Sequence, residues 1–128
     1  MSAFSDYSED GVFDHLLRNS ALTSPVTVYA ALFTDSVDDD ASGTEVTGGS
    51  YAREAITFGA PSNGSGSNSG AITFTTATAG WGTVTHMAIF DHVSAGNLIF
   101  WGALAVSRAV LDGDIALFPI SALTVTLT

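Results

Sequence analysis

The chain has no cysteine and no lysine, three prolines, and charged side chains at only 12% of its 128 positions. Without cysteine there is neither a disulfide nor a thiolate metal site, so the fold must rest on its own core. Without lysine, the cations reduce to Arg18, Arg53 and Arg108 against 13 acids, for a formal net charge of -10. A surface with that balance repels phosphate, and neither nucleic acid nor an anionic membrane is an expected partner. No apolar run reaches the roughly 18 residues of a membrane-span candidate, and no basic flank leads into an apolar stretch as in a secretion signal. A soluble chain made in the cytoplasm is expected, with protein as its partner. Hydrophobic residues, by contrast, make up 46%, too many for disorder, and the length suits one core.

Residues 80–104 organise the rest. Two runs rich in β-branched and aromatic residues flank a polar turn with Gly96 and Asn97, the pattern of a central antiparallel hairpin. Both alternating sets are apolar, Val84, Ala88 and Phe90 on one and Met87 and Ile89 on the other, so both faces should be covered. In simple register, Trp81 and Trp101 would fall near one end of the sheet. Trp101 reads as core, whereas Trp81, between two glycines, reads as partly exposed.

Ahead of this lies an amino-terminal arm and helix, residues 1–24. Ser5 or Asp6 can cap it, Glu9 and Asp10 suit its first turn, and Val12, Phe13, Leu16 and Leu17 recur at helical spacing. Arg18 and Asn19 mark its end, and Pro25 closes the segment. The apolar stripe must land on its own sheet or on a neighbouring subunit. The first accounts for most of it, with Phe4 and Tyr7 placed to reach outward.

Residues 25–128 read as a β domain. Residues 26–34 suit a central strand. Residues 35–50 form a long exposed loop with a short strand near Glu45. Residues 51–58 carry charge on both sides, as at an edge or a protein interface. Residues 59–70 are a flexible loop by composition, and Ile72 and Phe74 mark a short strand. Residues 108–111 lead into a tight Asp112-Gly113 turn, then a strand over 115–118 that Pro119 ends. The carboxy-terminal residues alternate strictly, Leu123, Val125 and Leu127 against Thr124, Thr126 and Thr128. About eight short strands and one helix predict an all-β chain, an antiparallel jelly-roll-like β-sandwich with one short N-terminal α-helix.

Reactive chemistry finds little support. His86, Asp91 and His92 have metal-ligand chemistry but no third ligand at a recognised spacing. Asp38-Asp39-Asp40 lacks the alternation of a calcium loop and reads as solvated, a weak surface site at most. The serines form no nucleophile elbow, and a glycosidase carboxylate pair would have to come from scattered acids. Tyr7, Tyr29, Tyr51, Trp81 and Trp101 could line a carbohydrate platform, although strand aromatics are more often core. No cofactor is called for, and an enzyme is not expected.

Several stretches together, Gly48-Gly49-Ser50-Tyr51-Ala52-Arg53, Ile56-Thr57-Phe58-Gly59-Ala60-Pro61, Trp81-Gly82-Thr83-Val84-Thr85-His86, Ala88-Ile89-Phe90-Asp91 and Gly96-Asn97-Leu98, resemble small virion structural proteins of tailed bacteriophages. Members carry labels such as tail-fibre protein or capsid decoration (cement) protein. The resemblance implies a place in the virion, on the capsid exterior, with the major capsid protein as partner. A homo-oligomer would bridge capsid subunits against DNA pressure. The alternative is a tail or tail-fibre structural or host-recognition domain that binds surface glycans. Phe4, Tyr7, Phe13, Leu17, Tyr51, Arg53 and Trp81 are the candidate lattice or oligomer contacts. Arg53, one of three cations among 13 acids, is expected to pair with an acid.

Overall fold

The computed structural model describes residues 3–127; the first two residues of the expected arm, and Thr128 of the last alternating set, lie outside them. In chain order the elements are β1 (Ala3–Phe4), α1 (Asp6–Leu17), β2 (Val28–Phe33), β3 (Glu54–Ile56), β4 (Ser65–Ser67), β5 (Ile72–Thr73), β6 (Gly82–Phe90), β7 (Leu98–Val110), β8 (Leu117–Phe118) and β9 (Thr124–Thr126). The chain is all-β with one short helix, and every strand pair is antiparallel.

Five strands form the main sheet in the order β1-β7-β6-β2-β3, with the ribbons β4-β9 and β5-β8 set apart from it. Side chains from both ribbons, Ile72, Leu123 and Val125, share one buried cluster with Leu32, Ile56, Met87 and Ile89 of the sheet. The ribbons therefore form the second layer of a sandwich. The opposite face of the sheet carries a smaller cluster of Ala31, Phe33, Ala88, Phe90 and Leu98, closed by Val37, Ala41 and Trp101. A strand covered on both faces needs apolar residues at successive positions, which explains the unbroken runs in β2 and β6.

The expected hairpin is β6 and β7, but its register is not simple. Between Val84 and His86 on β6, β7 runs from Arg108 back to Ala103, so Thr85 alone faces residues 104–107. Such an insertion breaks the two-residue alternation. Val84 accordingly joins Met87 and Ile89 in the larger cluster, not Ala88 and Phe90. The insertion also separates the tryptophans: Trp101 lies opposite Ala88, while Trp81 precedes the Gly82 to Val110 pair at the far end. Residues 108–111, expected as a separate segment, are largely the end of a thirteen-residue strand. At the turn, Asp91 accepts hydrogen bonds from the Asn97 backbone and side chain, at 2.7 and 2.9 Å. Gly96 has a φ of +77°, and a Cβ there would stand 2.6 Å from the Asp91 carboxylate, so only glycine fits.

Two loops are more ordered in their bonding than composition suggests. Within 35–50, Val37 and Val46 are buried, and the Val46 N–H donates to the Leu32 carbonyl. Glu45 bridges to Phe33, extending the sheet edge where β3 stops. Within 59–70, β4 pairs with β9, and Asn68 is 1% exposed. Its amide donates to the Gly70 and Pro119 carbonyls and accepts from the Leu123 N–H, all within 2.9 Å. A composition of Gly, Ser and Asn permits such a path without requiring it.

Candidate functional site

The helix is attached to the sheet by its serines. Ser5 caps α1, its Oγ accepting from the Ser8 N–H at 3.2 Å, and that same hydroxyl donates to the Leu98 carbonyl. The Ser8 hydroxyl donates to the Ile99 carbonyl at 2.9 Å. Both serines are buried, and the Asp6 N–H adds a bond to the Asp39 carbonyl. At 100° per residue, Phe13, Leu16 and Leu17 stand about 140°, 80° and 180° around the helix from Ser8. They are 57%, 71% and 70% exposed. Of the stripe expected to meet its own sheet, Val12 is half-buried in a groove with Ser8 and Ile99, while Phe13, Leu16 and Leu17 are uncovered, because hydrogen bonds from Ser5 and Ser8 to β7 carbonyls hold the other side down. Glu9 and Asp10, four and three residues before Phe13, share the outward side.

The candidate contact residues divide into two groups. Tyr7, Phe13 and Leu17 are exposed on α1. Phe4 is not outward: it sits in β1 with its ring stacked on Phe100 at 4.5 Å. Tyr51, Arg53 and Trp81 lie together, away from the helix, in a packed cluster. Trp81 is 5% exposed, correcting the expectation that its glycine neighbours would leave it open. Its indole N–H donates to the Gly49 carbonyl at 2.9 Å, and Tyr51 meets it edge-on with ring centroids 5.3 Å apart. Gly49 has a φ of +56°, and a Cβ there would come within 2.9 Å of that indole nitrogen, so the close approach depends on glycine.

The half-buried Tyr51 hydroxyl accepts from the Leu32 N–H at 3.0 Å and donates to Glu45 at 2.7 Å. Burial pushes the phenol well above its ordinary range, so it remains a donor. Glu45 also receives Arg53 through a two-point ion pair, with both N···O distances 2.8 Å. The guanidinium lies 3.8 Å over the Phe90 ring and donates to the carbonyls of His92 and Ala95. The cluster locks three segments together.

The other residues with chemistry serve locally. Asp38 accepts from the Ser36 hydroxyl, Asp39 from the Trp101 indole at 2.8 Å, and Asp40 from the Ser42 N–H; the Ser42 side chain, and then its N–H, hold the Asp40 carboxyl below its ordinary value. His86 bonds its neighbour Thr85, while His92 donates to the Ser94 carbonyl at the hairpin turn. Among the described residues no group of three or more His, Cys, Asp and Glu could hold a metal ion. Sequence reasoning reads Ser5 only as a cap and misses the roles of Ser8, Glu45 and Asn68. The capping signal at Ser5 was readable, but its second bond, to a residue 93 positions away, was not.

A further apolar surface lies at the far end of β7. Residues 104–110 and the 114–118 segment flank an open groove of about 580 Å³ that reaches down to Leu32 and Val84. Val106, Leu111, Ile115, Leu117 and Ile120 in and around it are all more than half exposed.

This is a two-layer antiparallel β protein that turns apolar side chains outward at a helix face and at a groove. The family model described as Podophage GP4 fiber I protein gp80 matches residues 3–126, and the chain belongs to that family of phage virion structural proteins. No curated protein matches it.

Proposed function

We propose that the chain is a non-enzymatic globular subunit of a phage fibre, joined to the virion by protein contacts through the outward face of α1. The observation that carries this reading is the exposure of Phe13, Leu16 and Leu17 at 57–71% in a member of a family described as a fibre protein. Three large apolar side chains on one helix face cost free energy in water and release it when covered. The host-recognition version of the fibre reading, with a glycan platform at Trp81, loses its motive because that indole is buried.

A second reading is capsid decoration: a compact β domain without fibrous repeats also suits a protein that binds the head exterior and bridges major-capsid subunits. Electron microscopy of virions carrying an antibody label on this chain separates the two. Label on the tail appendages is the expected result. Label distributed over the head lattice would overturn the fibre reading in favour of decoration.

A further inference from the structure

We propose that α1 of one copy seats in the β7–β8 groove of a second copy, so that the chain assembles head to tail. The proposal goes beyond the fibre reading, since it concerns which surfaces of the chain recognise each other. Knob and groove sit at opposite ends of the longest strand. Ser5 and Ser8 anchor α1 at Leu98 and Ile99, whereas the groove begins at Leu104 and extends to Val110. Across the ladder Phe100 faces Ile89 and Ala109 faces Thr83, so the two ends lie roughly 20 Å apart. The helix is pinned at one end with its exposed apolar side chains turned from its own sheet, and the groove at the other end is open to a neighbour.

Charge selects the partner. The outward face of α1 combines Phe13, Leu16 and Leu17 with Glu9 and Asp10, and the one cation of the helix end, Arg18, is already paired with Asp14 at 2.8 Å. The groove combines apolar side chains with Arg108. Arg18 and Arg53 each have an acid within 4.0 Å, and among the described residues Arg108 has none. The carboxylate in the groove lining, Asp114, accepts the Leu111 N–H at 2.9 Å. An acidic apolar helix therefore matches an apolar groove with an uncommitted cation, in the helix-in-groove manner. A second apolar groove, of about 360 Å³ between Val28, Phe58, Ile89 and Val125, has no charged side chain in its lining. It offers the helix acids nothing. Because the two surfaces differ, the contact is heterologous and propagates into a ring or a filament.

The test uses the purified full chain in sedimentation velocity over a concentration series. Wild type should form dimers and larger species. Leu17→Asp spoils the knob and Arg108→Glu the groove, and each should raise the concentration needed for association at least about tenfold. Both positions are exposed, so thermal melts by circular dichroism should match wild type. An equimolar mixture of the two variants should recover a dimer and stop there, because one intact helix and one intact groove remain in the pair. Wild type that stays monomeric, variants that associate like wild type, or a mixture that recovers nothing would each overturn the proposal. These results bear only on self-recognition, and the virion label decides the fibre reading separately.

Discussion

Arg53 and Glu45 meet through two parallel N–H···O bonds of 2.8 Å, with the arginine side chain 7% and the glutamate side chain 24% exposed. The pair ties the chain before β3 to the 44–46 edge, and the same guanidinium holds the hairpin turn through His92 and Ala95. Arg53→Ala leaves a largely covered carboxylate without its cation and should cost about 3 kcal/mol. Lysine should restore only part, lacking the planar fork. Urea unfolding checks both, and an unchanged midpoint for the alanine variant would contradict a structural role.

Ser5 replaces a hydrophobic anchor for the helix. Ser5→Ala removes both the cap and the bond to Leu98, and should cost about 1–2 kcal/mol. Hydrogen exchange should rise mainly in α1, with the main sheet retaining its protection. Uniformly faster exchange would mean that the helix and sheet open together.

Asn68→Leu keeps much of the volume but leaves the buried Leu123 N–H and the part-buried Gly70 and Pro119 carbonyls without their partner. A loss of about 2–4 kcal/mol follows if those groups stay dry. Differential scanning calorimetry would register the change, and a variant as stable as wild type would mean that this loop is not pinned.

Trp81→Ala should destabilise by about 3–5 kcal/mol, as a large core truncation does. Its native fluorescence should be blue-shifted and protected from iodide quenching. Ready quenching of the Trp81 signal in a Trp101→Phe background would place the indole outside.

Asp35 accepts from the Thr44 N–H at 2.6 Å and from its hydroxyl at 2.8 Å, and these bonds lower its pKa below the ordinary 3.8. A depressed carboxylate stabilises the fold fully above its unfolded value, near 3.9, and loses that contribution as pH falls through the folded value. The melting-temperature gap between wild type and Asp35→Asn should therefore be constant near neutrality and close in acid below about pH 3.8. A gap that widens on acidification would reverse the sign.

Most strands, the edge position of β3, the turn at Gly96 and the capping of α1 were legible because each rests on local chemistry; β1 and β4, read as arm and loop, and the full length of β7, read as two segments, were not. Alternation, turn residues and a serine before acids all act within a few positions. The direction of the helix was not legible. Its stripe of Val12, Phe13, Leu16 and Leu17 looks like any core-facing pattern, and only the distant carbonyls of Leu98 and Ile99 decide which side lies down. Trp81 was misjudged for a related reason. Its flanking glycines suggest openness, yet Gly49, 32 positions earlier, supplies the carbonyl that draws the indole inward. Arg53 needed an acid, as its scarcity suggested, but the choice of Glu45 depends on the edge formed beside β2.

The insertion opposite Thr85 bears on the open edge of the main sheet. Among the described residues, β1 covers the outer side of β7 only at Phe100 and Trp101, leaving the remainder as a long apolar edge. A flat edge of that length would template amyloid-like stacking of strand upon strand. The four extra residues between Ala103 and Arg108 spoil the even ladder that a new strand would need. The irregularity works as a gatekeeper against strand-upon-strand stacking.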